Sequence, residues 1–181
     1  MGIFFPEELE IIEKQRRAAE GRILVQGCLS FVAREPGKPG RLLSVGENLV
    51  VNEGKQSLAK LFGLTALAGT YPAVAGVSDI GYFAVGDGGL SPLPTTNALI
   101  NELTGGAVPR PTFIVSLPPP GPPHVTMLAV AQIGTSDLNG SNIDEAAIFS
   151  QDNTTMFAAR GFGAIAKTAA YALEGRWTIT F

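Results

Sequence analysis

Cysteine and histidine are almost missing from this chain of 181 residues, which has one of each, Cys28 and His124. A lone cysteine closes no intrachain disulfide, and one Cys with one His cannot supply the ligands of a structural zinc site. The expected state of Cys28 is a reduced thiol buried in a strand, in a protein made in the cytoplasm. Charge is also scarce, at 16% of residues with a net charge of -3. Phosphate recognition needs clustered Lys and Arg, so nucleic acid is not expected as the main partner. The start is acidic where a secretory signal carries a basic stretch, so no signal peptide is read there. The longest apolar stretch, 58–77, is broken by Lys60, Gly63, Gly69, Pro72 and Gly76. That pattern does not predict a membrane-spanning helix. Low charge also suits a surface spent on partners, because charged groups are depleted at the centres of interfaces.

What is abundant is glycine, with 22 residues, and proline, with 13, beside a hydrophobic content of 45%. The mixture points to a packed core of short strands joined by turns. The clearest strand ends the chain. Trp177, Ile179 and Phe181 alternate with Thr178 and Thr180, which predicts a half-buried strand with its threonines on the opposite face. Further strands are expected near 22–33, 41–51, 79–85, 112–117, 124–133, 143–149 and 155–161. Ile23, Val25, Leu29 and Phe31 share a face of the first. Val125, Met127, Ala129, Ala131 and Ile133 share a face of the longest. Gly27 is read as a bulge, and Gly46-Glu47-Asn48 as an interruption. Asn52 is expected to cap a short helix over 53–62, with Leu58, Leu61 and Phe62 as its buried stripe. About eight strands without a βαβ rhythm indicate a mainly β protein. The predicted fold is an antiparallel β-sandwich, jelly-roll-like, with an N-terminal helix and one short helix.

Residues 1–21 stand apart as a helical arm ahead of a β-sandwich domain at 22–181. Pro6 suits a first helical position. Glu7, Glu8, Glu10 and Glu13 precede Lys14, Arg16 and Arg17, the order that the helix dipole favours. Phe5, Leu9 and Ile12 make a narrow apolar stripe behind Ile3 and Phe4. Either this arm folds back on its own core, or it docks on a neighbouring subunit. Ile3, Phe4, Phe5, Leu9 and Ile12 are therefore the candidate interaction residues.

Candidate chemistry is thin. Glu53-Gly54-Lys55-Gln56-Ser57 resembles a phosphate loop, but Leu49 and Gln56 occupy positions where that loop needs Gly and Ser or Thr. Gly86-Asp87-Gly88-Gly89 follows a strand without opening a helix, as a tight turn would. No GxSxG accompanies His124. Asp137, Asp144, Glu145 and Asp152 cluster along the sequence. Paired carboxylates can hydrolyse glycans or hold calcium, but EF-hand spacing is absent. Glu145 stands out, and a structural bond to backbone N–H groups or to Arg160 is favoured over catalysis. No catalytic residue, cofactor or metal site is assigned.

Several blocks carry a resemblance. They are NLVVNEGKQSLAKLF (48–62), IGYFAVGDGG (80–89), Leu99 with Asn101-Glu102-Leu103, Glu145 with Ile148-Phe149, MFAARGFGAIAKT (156–168) and the closing WTITF. In this order they resemble a family of small structural proteins of tailed-bacteriophage virions. Ala147 stands where that family commonly has Gly, and the N-terminal helix lies outside the resemblance. The resemblance implies a β-rich, non-enzymatic protein that sits as an oligomer on heads, tails or fibres. The leading expectation is a capsid decoration (cement) protein, a homotrimer that binds the major capsid protein on the virion. A tail-fibre or baseplate attachment component is the alternative, and a glycan hydrolase using Glu145 a remote one. Neither nucleic acid nor membrane is expected as a partner.

Overall fold

The computed structural model describes residues 5–19, 26–61, 80–104, 114–116, 126–150 and 154–180. Helix α1 (Pro6–Ala19) precedes strands β1 (Gln26–Arg34) and β2 (Arg41–Val50), then helix α2 (Asn52–Leu61). Strands β3 (Ile80–Gly86), β4 (Ile114–Ser116), β5 (Thr126–Ile133), β6 (Asn142–Ser150), β7 (Met156–Ala166) and β8 (Ala172–Thr180) follow. The eight strands form one antiparallel sheet in the order β3-β6-β7-β2-β1-β8-β5-β4.

The sheet turns over at β2. That strand pairs with β1 from Arg41 to Asn48, but meets β7 only at Leu49–Ala159 and Val50–Ala158. One half then faces the other across a shared core. Leu29 and Phe31 of β1 and Trp177 and Ile179 of β8 meet Phe83 of β3 and Ile148 of β6 there. The Phe83 and Trp177 rings meet edge to face at 6.4 Å, and Phe31 lies 6.0 Å from Phe83. Such pairs add modestly to the area they bury. The mainly β antiparallel fold with an N-terminal helix and one short helix, expected from the strand pattern, is the fold found, its sandwich-like halves being parts of one sheet.

β6 is buried on both faces. A second apolar cluster covers its outer side, with Val51, Ala84, Leu90, Leu99, Ala147, Phe149, Met156 and Ala159. The 87–101 loop and the start of α2 close over it. Val51 N–H donates to the Phe157 carbonyl at 3.1 Å, and Asn52 N–H to that of Pro94 at 2.8 Å. Double burial is why Ala146-Ala147-Ile148-Phe149 shows no alternation.

Four local expectations need correction. β2 runs unbroken, because Gly46 lets the Arg160 guanidinium lie against the strand where a Cβ would collide with it. Gly27 is in regular register under the Asn48 side chain, and the β1–β2 register shift falls between Phe31 and Val32. Asn52 lies inside α2, whose first bond runs from Lys55 N–H to the Val51 carbonyl at 3.0 Å. Thr178 is only 2% exposed, so β8 is buried on both faces rather than half-buried. The expectations for Ile3, Phe4, Ile23, Val25, the α2 stripe, the 64–78 loop, the 118–123 connector, His124, Val125, the Met127 side chain, Asp152 and Phe181 lie outside the described residues.

Cys28 is the free, buried thiol expected. Burial pushes its pKa up to about 11 from 9.0. Below pH 9.0 the thiol is neutral in both the folded and the unfolded chain, and its contribution to stability is fully present. That contribution is lost as pH rises towards 11. The native protein should therefore resist iodoacetamide at pH 8 and be alkylated once urea unfolds it. Rapid native labelling would place Cys28 outside the core.

Candidate interaction site

The N-terminal helix lies on the outer face of its own sheet, against β1, β2 and β8. Phe5 caps it: Leu9 N–H donates to the Phe5 carbonyl at 3.1 Å. Glu8, in the first turn, reaches back to accept the Phe5 N–H at 2.7 Å, as a capping-box glutamate does. The same carboxylate enters the sheet. Ser30 Oγ donates to Glu8 Oε1, and Arg176 Nη1 lies 3.4 Å from Oε2. Ser30 and Arg176 face one another in the β1–β8 ladder. Arg176 also approaches Glu174 at 3.8 Å, and Glu174 takes two bonds from Arg34, at 2.9 and 2.8 Å. The Phe5 ring lies 5.4 Å from the Arg176 guanidinium. Glu8 is 1% exposed and Arg176 5%, so the two charges leave water as partners in one ion-pair network.

Of the candidate interaction residues, Phe5 and Ile12 are half-buried and Leu9 is 50% exposed. The structure thus brings Phe5 into the contact and leaves Leu9 facing outwards. The residue that does most was not among them. Glu8 occupies the capping position, three residues after Phe5, and that spacing was the available signal. Its partners Ser30 and Arg176 carried none.

Glu145 is fully buried on β6, and both its oxygens are used. Ile100 N–H donates at 3.1 Å and Asn101 N–H at 2.8 Å. Its register neighbours are Gly86 and Gly161. A Cβ at Gly86 would strike the Glu145 side chain and the Asn101 carbonyl, and one at Gly161 the Leu90 carbonyl. Two glycines flanking a glutamate therefore let the 87–101 loop lie directly on the sheet. Backbone bonding was expected, but Arg160 is not the partner. It bonds the Leu29 carbonyl and Ser44 Oγ instead.

The other acidic residues also hold turns. Asp137 accepts the Gly134 N–H at 3.1 Å, and Asp144 the Gly89 N–H at 2.9 Å. Gly89 has φ 67°, the left-handed conformation expected of the Gly-rich turn. Among the described residues no three His, Cys, Asp or Glu come together as a metal site would require. No helix there is long and apolar enough to cross a membrane. Lys167, which the sequence did not flag, is buried at the β7–β8 turn. Its Nζ donates to Asn139 Oδ1 and the Thr168 carbonyl, and burial lowers its pKa.

A Glu145→Gln variant keeps one acceptor but turns an amide NH₂ towards a backbone N–H. The expected cost is about 1–3 kcal/mol for a buried group left unpaired, read as a lower urea midpoint. An unchanged midpoint would mean that the loop does not depend on this clamp.

Comparison with family models, curated proteins and solved structures gave no match to this chain. Several segments far apart in sequence meet in space. β3 pairs with β6, Leu103 N–H donates to the Val85 carbonyl at 2.9 Å, and Met156 N–H donates to Glu53 at 3.2 Å. Residues 48–61, 80–89, 99–103, 145–149 and 156–166 together build the β3-β6-β7 half and its cover.

Proposed function

We propose that this protein is a non-enzymatic structural component of a tailed-bacteriophage virion, and specifically a capsid decoration protein. It binds the outer shell of the major capsid protein and stabilises the head, as a homotrimer. The observation that carries this reading is the meeting of five of the six resemblance blocks; residues 177–180 of the sixth, WTITF, lie on β8 in the other half of the sheet. Segments far apart in sequence, which resemble one family's blocks in the same order, interlock through Glu145, Glu53 and the β3–β6 ladder. The use of both Glu145 oxygens by backbone N–H groups supports a structural rather than a catalytic glutamate.

The test is binding to purified heads that lack the protein. Saturable binding at a fixed ratio to the major capsid protein, with a raised melting temperature of the heads, is the expected result. Binding to tails alone would favour an attachment component of the fibre or baseplate. Glycan cleavage by the wild type that Glu145→Gln abolishes would overturn the structural reading.

A further inference from the structure

We infer that Asn139 is a modification site held in check by the fold: it deamidates to aspartate and isoaspartate, and does so only from a state in which its loop has come away from Lys167. The inference stands apart from the function proposed above, because the chemistry involves only this chain and water.

The sequence supplies the reaction. Asn139-Gly140 is the only Asn-Gly step in the chain. Gly140 carries no side chain to shield its nitrogen. Both residues are exposed, so water reaches them. The Gly140 nitrogen gives up its proton and bonds to Asn139 Cγ. The Cγ–Nδ2 bond breaks, and Nδ2 takes up a proton and leaves as ammonia. One water then opens the succinimide ring. Attack at Cγ leaves aspartate, and attack at the Asn139 backbone carbonyl leaves isoaspartate. Water is the only co-reactant, and nothing is oxidised or reduced.

The fold holds each of the reacting groups. Gly140 N–H donates to the Lys167 carbonyl at 2.9 Å. Asn139 Oδ1 accepts from Lys167 Nζ at 3.1 Å, and Asn139 Nδ2 donates to the Thr135 carbonyl at 2.8 Å. The first bond keeps the proton that must leave. The other two keep the amide that must turn towards the Gly140 nitrogen. The loop is tied again on either side, by Ser141 N–H to the Leu138 carbonyl at 3.2 Å and Lys167 N–H to the Ser141 carbonyl at 2.9 Å. Lys167 itself does not swing freely. It is 1% exposed, and its Nζ also donates to the Thr168 carbonyl at 2.9 Å. Attack on Cγ therefore waits for the loop to open, and local opening of this kind has its own free energy.

Hydrogen exchange and peptide mass spectrometry on the full chain test this together. In urea, Asn139 should deamidate before any other asparagine. In the native protein it should slow by the same factor that protects the Gly140 amide proton from exchange, to within about tenfold, because both reactions need one opening. A native rate equal to the rate in urea would overturn the restraint, as would a slowing that departs further from the Gly140 protection. An Asn139 no faster than the other asparagines in urea would overturn the site. Lys167→Met removes the Nζ bond but keeps the backbone acceptor. It should raise native deamidation and Gly140 exchange together. A folded Lys167→Met chain that deamidates at the wild-type rate would overturn Lys167 as the clamp. If that variant does not fold, the comparison within the wild type decides alone.

Discussion

Truncating Trp177 to Ala should cost about 3–5 kcal/mol, as expected when a large buried aromatic side chain is removed. The residue is fully buried, lies in the middle of β8 and meets Phe83 of the opposite half of the sandwich. A domain of this size has only about 5–15 kcal/mol of stability, so the variant should lose much of its soluble yield. The indole N–H finds no acceptor among the described residues. Trp177→Phe should therefore cost much less than Trp177→Ala, since it removes an unpaired donor while keeping a ring against Phe83. Thr178, on the other face, is also buried, so Thr178→Ala should lower stability measurably but by less than the loss of the indole. Urea midpoints of the three variants check the ranking. Equal midpoints for Trp177→Ala and Thr178→Ala would mean that the inner face of β8 is not the core.

The second large effect is expected at the arm. Removing one partner of a buried ion pair costs about 3–5 kcal/mol when the other charge is left without compensation, and Glu174 at 3.8 Å leaves Arg176 part of its compensation, so the low end of that range is expected. Glu8→Ala strips Arg176 of its 3.4 Å partner, Ser30 of its acceptor and Phe5 of its cap. Arg176→Met alone leaves the Glu8 carboxylate buried against Ser30. The double variant removes both charges and should be more stable than the sum of the single losses predicts. A double-mutant cycle from urea midpoints measures this coupling. Strict additivity would mean that Glu8 and Arg176 do not meet in solution.

These two residues also mark what the sequence could tell. Trp177 and Ile179 were legible because alternation reports one buried face directly, and β8 has such a face. Thr178 was misread because a polar residue that is covered in the fold looks the same in sequence as one in water. Glu8 was hidden for a related reason. An acidic residue in a first helical turn is explained by the dipole, and its tertiary partner Ser30 lies 22 residues away. Glu145 was easier to find, because a carboxylate ahead of an apolar strand has no local reason to be there. The clamp itself needed the register, which sets Gly86 and Gly161 on either side of it. The unbroken course of β2 was not legible for the same reason. Gly46 reads as a break until Arg160, from a strand far along the chain, is seen to need the space.

The central claim is a place on the virion, and a cryo-EM map of the intact particle tests it most directly. The account predicts density on the outer surface of the head shell that fits the eight-stranded sandwich, in trimers seated on the major capsid protein. Density of this shape confined to the tail, or a purified particle that lacks the chain, would contradict it.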